Sequence, residues 1–144
     1  MIQSDFNRFM DRSCGRWTSN RRYLFGKKLT SGEYVTEFDI SPVEGSTFTI
    51  AWSGKTDGEM DVTVEGNKLL RSRSYFNSDD DSGYQEMYWI DADTVVFHTA
   101  YDGTRFREEI RFLDNDTRLR QTVGRDQETN DVTLVGQYYE TRVA

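Results

Sequence analysis

The chain has 144 residues, with 18 Lys+Arg against 25 Asp+Glu, so its net charge is 18 − 25 = −7. One domain spanning residues 1–144 is the expectation, since domains most often run to about 100–150 residues. One Cys and one His exclude an internal disulfide and a zinc site of the usual Cys/His kind, the negative charge argues against nonspecific nucleic-acid binding, and no apolar run approaches the roughly 20 residues of a membrane span.

The segment Met1 to Asp11 lacks the apolar core of a secretory leader, so a reducing, cytoplasmic location is expected. Ile2, Phe6, Phe9 and Met10 share one helical face, which predicts a helix over about 2–13 that Ser13-Cys14-Gly15 ends. From about 15 to 143 the pattern has period two. Its faces are Trp17/Arg21/Tyr23/Phe25, Tyr34/Phe38/Ile40, Phe48/Ile50/Trp52, Met60/Val62/Val64 and Leu69/Arg71/Arg73/Tyr75. They continue with Tyr84/Glu86/Tyr88/Ile90, Val95/Phe97/Thr99/Tyr101, Phe106/Glu108/Ile110/Phe112, Arg118/Arg120/Thr122 and Val132/Leu134/Tyr138/Glu140/Arg142. Turn signals separate them, among them Ser31-Gly32, Glu65-Gly66-Asn67, Asp79 to Gly83, Asp102-Gly103 and Asn115-Asp116.

About ten short strands at this spacing indicate an antiparallel sandwich or barrel. A single helix followed by meandering strands favours an up-and-down barrel, of a size that holds side chains or one small ligand. Aromatics make up 14% of the chain, which fits ordinary β-sheet content or a lined cavity. Gly15-Arg16-Trp17 looks like the Gly-x-Trp mark of lipocalin-like (calycin) barrels, and Arg142 is placed to pack across Trp17 through a cation–π contact.

Glu108 shares its parity with Phe106, Ile110 and Phe112, so it is expected to point inward, where an unpaired carboxylate is costly. Arg118, Arg120 and Thr122 share one face of the next strand, while Leu119 and Val123 share the other. Two arrangements fit. Glu108 pairs internally with Arg118 or Arg120, or the arginines face water and Leu119 and Val123 point in. If the arginines do converge on Glu108, the cluster suits an amphiphilic ligand, with Arg taking carboxylates and Glu taking N–H groups. His98 is out of phase with its strand and has no nucleophile nearby in sequence. Cys14 reads as a small buried residue rather than a reactive thiol. Asp79 to Asp81 lacks the pattern of a calcium loop.

Arg107-Glu108-Glu109-Ile110-Arg111-Phe112, followed by Thr117-Arg118-Leu119-Arg120-Gln121-Thr122, resembles the Glu-Glu-Arg-Ile-Trp-Phe … Leu-Arg-Leu-Arg-Thr-Ser stretch of the S-type phycobiliprotein lyases (the CpcS/CpeS family). Gly15-Arg16-Trp17 with Arg21, Leu70-Arg71, Thr99-Ala100-Tyr101-Asp102 and the closing Tyr139-Glu140-Thr141-Arg142 are similar in order and spacing. Three positions depart: Arg111 stands for a Trp, Asp114-Asn115-Asp116 for a Pro-Asn turn, and Thr117 for a Leu.

The resemblance implies a lipocalin-like barrel of about ten strands that delivers a phycobilin, phycoerythrobilin by likeness to the CpeS branch, to a cysteine of an apo-phycobiliprotein as a thioether. By the same resemblance Glu108 and Arg118 are the candidate catalytic residues. The candidate substrate-binding set is Glu108, Arg118, Arg120, Thr122, Glu140, Trp17, Trp52, Arg71 and Tyr101. No cofactor and no metal are implied, because the bilin is the substrate. The expected partners are the bilin and the acceptor protein, with a second copy of the chain as a further candidate. A non-enzymatic carrier of bilins or other small amphiphiles is the competing expectation.

Overall fold

Helix α1 (Ile2–Ser13) forms where the apolar spacing predicts it, in a computed structural model that describes residues 2–25, 30–54, 56–72 and 84–143. Phe6, Phe9 and Met10 are buried, and each contributes about 1.5–3 kcal/mol by leaving water. Phe6 meets Phe48 edge-on at 5.9 Å, and Phe9 meets Trp89 and Phe112 at 5.6 and 5.1 Å. The helix therefore plugs one end of the barrel that the strands form. Its last carbonyls lack intrahelical partners, and Arg142 supplies them: its guanidinium donates to the carbonyls of Arg12 and Cys14, both at 2.6 Å. Gly15 comes next at φ +119°, and a Cβ there would lie 2.8 Å from Arg142 Nη1, so the chain needs glycine at this crossing.

The ten strands are β1 (Gly15–Phe25), β2 (Thr30–Pro42), β3 (Phe48–Ser53), β4 (Gly58–Glu65), β5 (Lys68–Ser72), β6 (Tyr84–Asp91), β7 (Thr94–Tyr101), β8 (Thr104–Asp114), β9 (Thr117–Asp126) and β10 (Val132–Arg142). They pair antiparallel in sequence order, and β1 also pairs with β10, closing the barrel. Closure leaves no free strand edge in this sheet. The hairpin between β7 and β8 turns on Asp102 (φ +49°) and Gly103 (φ +76°), the left-handed pair that matches strand twist.

Exposure along the inward face of β1 gives the barrel a direction. Trp17 and Ser19 are fully buried, Arg21 and Tyr23 are half-buried, and Phe25 is 43% exposed. Among the described residues the barrel is thus closed at the α1 end and more exposed at the Phe25 end. Trp17 is the floor. Its indole N–H donates to the Ser13 carbonyl at 2.9 Å, and Arg142 lies 4.4 Å above its ring, as the Gly-x-Trp likeness implies.

Two readings of the strands are corrected. Ser31-Gly32 is not the first turn, because Tyr23 pairs with Gly32 inside the β1–β2 ladder. The face Tyr84/Glu86/Tyr88/Ile90 does not join the core: Tyr88 and Ile90 are 41% and 57% exposed, and Met87 and Trp89 pack inward. Both faces of β6 carry aromatics, so its polarity is set by pairing with the buried Val95 and Phe97 of β7. Arg73, Tyr75 and the Asp79 to Gly83 segment lie outside the described residues, as do the side chains of Ile2, Tyr84 and Tyr101.

Candidate functional site

The inward parity of Glu108 and of the β9 arginines follows from the ladder. Glu108 on β8 stands opposite Phe97 on β7 and Thr122 on β9. Arg120 stands between Ile110 and Tyr138, and Arg118 between Phe112 and Glu140. Leu119 is 42% exposed on the outer wall, so the arrangement that turned the arginines to water is excluded.

The inward charges form two layers. In the middle layer Glu108 Oε2 accepts from Arg120 Nη2 and from Thr122 Oγ1, both at 3.1 Å. Arg71 also faces this carboxylate: burial lowers its pKa, and Glu108 works against that shift. Tyr138 Oη lies 3.4 Å from Thr122 Oγ1. Burial pushes the Tyr138 phenol up, so it stays neutral at any ordinary pH. The Glu108 side chain is 18% exposed and that of Arg120 25%, so solvent reaches this layer.

The lower layer is sealed. Arg118 donates from Nε and Nη2 to Glu140 Oε1 at 3.0 and 2.8 Å, and from Nη1 to Ser13 Oγ at 3.1 Å. Trp17, Phe38 and Phe112 surround its guanidinium, with ring centroids 5.1 to 5.7 Å away. The two side chains of the pair are 4% and 0% exposed. The expectation that Arg118 acts beside Glu108 meets a physical obstacle, because its donors are taken by Glu140 and Ser13 beneath the helix. The layers meet where Arg120 Nη1 approaches Glu140 Oε2 at 3.9 Å.

Burial raises the Glu140 carboxyl, but Arg118, Arg120 and the Ser19 hydroxyl outweigh it, so its pKa is lowered from the ordinary 4.5. A carboxyl lowered in the folded state stabilises the fold above its unfolded value and loses that contribution as pH falls through the folded one. The melting temperature is therefore expected to fall as pH drops below about 4.5. Glu140→Gln should flatten that acid slope in a series of thermal melts, and an unchanged slope would remove Glu140 as its source.

The remaining candidates divide. Trp17 contacts Arg118 and not the middle layer. Trp52 is half-buried against the core, opposite Phe38 and Gly58. Tyr101 belongs to β7, but its side chain lies outside the described residues. His98 is exposed on the outer wall, its ring 5.0 Å from Tyr88, away from the lumen. Arg21, Tyr23 and Tyr138 also belong to the lumen, although the family likeness does not single them out as ligand-binding. Their shared parity with Trp17 and Glu140 is the signal that identifies them. Tyr23 packs on Phe25, Tyr34 and Tyr138 at 5.5 to 5.8 Å, forming an aromatic wall between the middle layer and the mouth. A groove of about 690 Å³ runs across Asn20, Val35, Leu119 and Tyr139 of the outer wall, and Arg21, Arg120 and Tyr138 are also among its lining, whereas Glu108, Thr122 and Glu140 are not. Among the described residues no group of three His, Cys, Asp or Glu is placed to hold a metal, and no helix is long and apolar enough to cross a membrane.

The family described as "CpeS-like protein" matches residues 45–143, which include the strands of both charged layers from β8 to β10. The chain belongs to the CpeS-like family. CpcV of Picosynechococcus sp. (strain ATCC 27264 / PCC 7002 / PR-6) is 26% identical, over 94% of this chain and 80% of that protein. Chromophore lyase CpcS/CpeS 3 of Trichodesmium erythraeum (strain IMS101) is 25% identical, over 89% of this chain and 93% of its own. The S-type phycobiliprotein lyase CPES from Guillardia theta superposes with a TM-score of 0.76 at 21% identity, covering 100% of this chain and 98% of that one, a likeness of fold. The CpeS-like chain is thus a member of the S-type lyases, with Glu108, Arg120 and Thr122 facing its lumen.

Proposed function

We propose that the barrel binds a phycobilin, phycoerythrobilin in the first instance, and transfers it to a cysteine of an apo-phycobiliprotein. The observation that carries this reading is the Glu108 carboxylate, held by Arg120 and Thr122 midway between a closed floor and an aromatic mouth. A bilin is a flat conjugated chain with pyrrole N–H groups at its centre and two propionates. The tyrosine and phenylalanine rings suit the conjugated body. Glu108 suits the N–H groups and stabilises the protonated bilin.

In the transfer the acceptor thiolate adds to the exocyclic ethylidene carbon. A C–S bond forms, the C=C π bond is lost, and the thiol proton ends on the bilin. The step is a net addition and needs no oxidant or reductant. The lyase contributes position and exclusion of wrong nucleophiles, and the nucleophile belongs to the acceptor. The test mixes protein, phycoerythrobilin and apo-phycobiliprotein and then denatures them. Colour that stays with the acceptor supports transfer. Colour lost from a competent acceptor marks the barrel as a carrier.

Cys14 is the one thiol of the chain. Burial and the neighbouring Asp11 raise its pKa, against the pull of Arg142, so little thiolate is available for a covalent carrier. Cys14→Ser is expected to keep the transfer rate within about twofold, since the thiol takes no part in the addition. Loss of transfer in that variant, with an unchanged melting temperature, would return Cys14 to the mechanism. An unpaired cysteine also fits a reducing, cytoplasmic place of action.

A further inference from the structure

We propose that the outer rim of the barrel at Arg105 and Arg125 docks an acidic surface of the acceptor protein. The inference rests on the transfer reading above and deepens it by assigning where the acceptor sits. Both arginines lie at the end of the barrel away from α1, since Phe112 further along β8 packs on Phe9 and Arg118 at the start of β9 bonds to Ser13. Both are exposed, and they stand directly opposite each other across the β8–β9 ladder. Like charges in that position repel. Among the described residues neither arginine pairs with a carboxylate. Arg105 Nη2 donates to Asn130 Oδ1 at 2.6 Å, and Arg125 Nη1 donates to the Asn130 carbonyl at 3.1 Å. One neutral residue thus holds two guanidiniums side by side, each with further N–H groups for a carboxylate.

The rim that carries them is cross-braced. The Gln127 N–H donates to the Gly103 carbonyl at 2.9 Å, joining the β9–β10 turn to the β7–β8 turn. Within the β9–β10 turn the Asn130 N–H donates to the Asp126 carbonyl at 2.9 Å. The Asp126 carboxylate accepts from the N–H groups of Glu128 and Thr129 at 2.8 and 2.9 Å, so it serves the turn rather than Arg125. The sign of the wall selects the partner. Arg107 and Arg111 follow on the outer face of β8 and share Glu109 at 3.3 and 3.7 Å. The outward faces of β8 and β9 therefore hold four arginines against one glutamate, on a chain with net charge −7. A local reversal of sign steers and orients an acidic surface. Val132, opposite Arg125 on β10, is 39% exposed and adds an apolar contact. Arg105 lies three residues from Glu108 on β8, about 10 Å along the strand. A cysteine beside the docked surface has that distance to cover to reach a bilin at Glu108.

The test measures binding of apo-phycobiliprotein to the full chain by titration calorimetry, and transfer of phycoerythrobilin as the acceptor concentration is varied. The double variant Arg105→Glu, Arg125→Glu should weaken acceptor binding, and raise KM for the acceptor, about tenfold, because like charges then face each other across the contact. The absorption band of the bound bilin should stay that of the wild type, since both side chains lie outside the lumen. Added salt should weaken acceptor binding by the wild type more than by this variant. Arg105→Lys, Arg125→Lys keeps both charges and should bind the acceptor within about twofold of the wild type. Wild-type affinity in the glutamate pair, or an equal loss in the lysine pair, overturns the docking site. Should the glutamate pair unfold the barrel, Arg105→Gln, Arg125→Gln decides by the same affinity, and a wild-type value there overturns the site. A wild type that binds the acceptor but transfers no bilin overturns the transfer reading, an outcome distinct from failure of the rim, which the calorimetric comparison still decides.

Discussion

Glu108→Gln is expected to slow covalent transfer about 10–100-fold, the loss produced when a charged hydrogen-bond acceptor becomes neutral. The amide has nearly the shape of the carboxylate, so the barrel should melt as the wild type does. Two effects combine. Arg120 and Thr122 can still donate to the amide oxygen, but Arg120 loses the negative charge it pairs with. The bilin loses the negative charge that favours its protonated, electrophilic form. The absorption band of the bound bilin should shift relative to that of the wild type, and the colour passed to the acceptor should appear more slowly. A variant with the wild-type spectrum and the wild-type rate would remove Glu108 from the site.

Arg118→Ala should act on stability first. It strands the Glu140 carboxylate, whose side chain is 0% exposed, and breaking a buried pair in this way costs about 3–5 kcal/mol. For a barrel of this size that is a fall in melting temperature on the order of 10–20 °C. It also cuts the bond from Arg118 to Ser13 at the end of α1, so the helix that plugs the floor loses an anchor. The double variant Arg118→Met, Glu140→Leu removes both charges and should recover much of the lost stability, because an apolar pair of similar volume needs no compensation. A single Arg118→Ala variant that melts normally yet fails to bind phycoerythrobilin would restore Arg118 to the ligand.

These predictions separate residues that the sequence places together. Arg118 and Arg120 share parity, residue type and a motif, yet the first is sealed below and the second is open to the lumen. Residues two apart are about 6.6 Å apart along the strand, enough to put one beneath α1 and the other at the level of Glu108 even with the strand tilted to the barrel axis. The carboxylates divide in the same way. Glu140 is tied to the floor and only grazes Arg120, whereas Glu108 gathers Arg120, Thr122 and the facing Arg71.

The composition acquires a sharper meaning as well. Aromatics at 14% of the chain include a dry floor around Trp17 and Phe112 and a wall that runs from buried Tyr138 to exposed Phe25. The scarcity of Cys and His matches a reaction whose nucleophile comes from the acceptor.

Alternation by itself sets about ten strands, places Glu108 with Phe106, Ile110 and Phe112, and groups Arg118, Arg120 and Thr122 on one face, because side chains on a strand take opposite faces with period two; which face of β9 turns inward is decided by the closed sheet. The Gly-x-Trp segment and the last-strand arginine likewise identify the floor contact between Trp17 and Arg142. Depth along the barrel and the choice of partner are decided by the tertiary structure alone. They depend on the register of β8, β9 and β10 and on where α1 closes the end, and these are set by contacts between segments far apart in sequence, such as Ser13 with Arg118 and Arg142 with Cys14. Parity is a local property of each strand, whereas depth and pairing arise only when the sheet has closed.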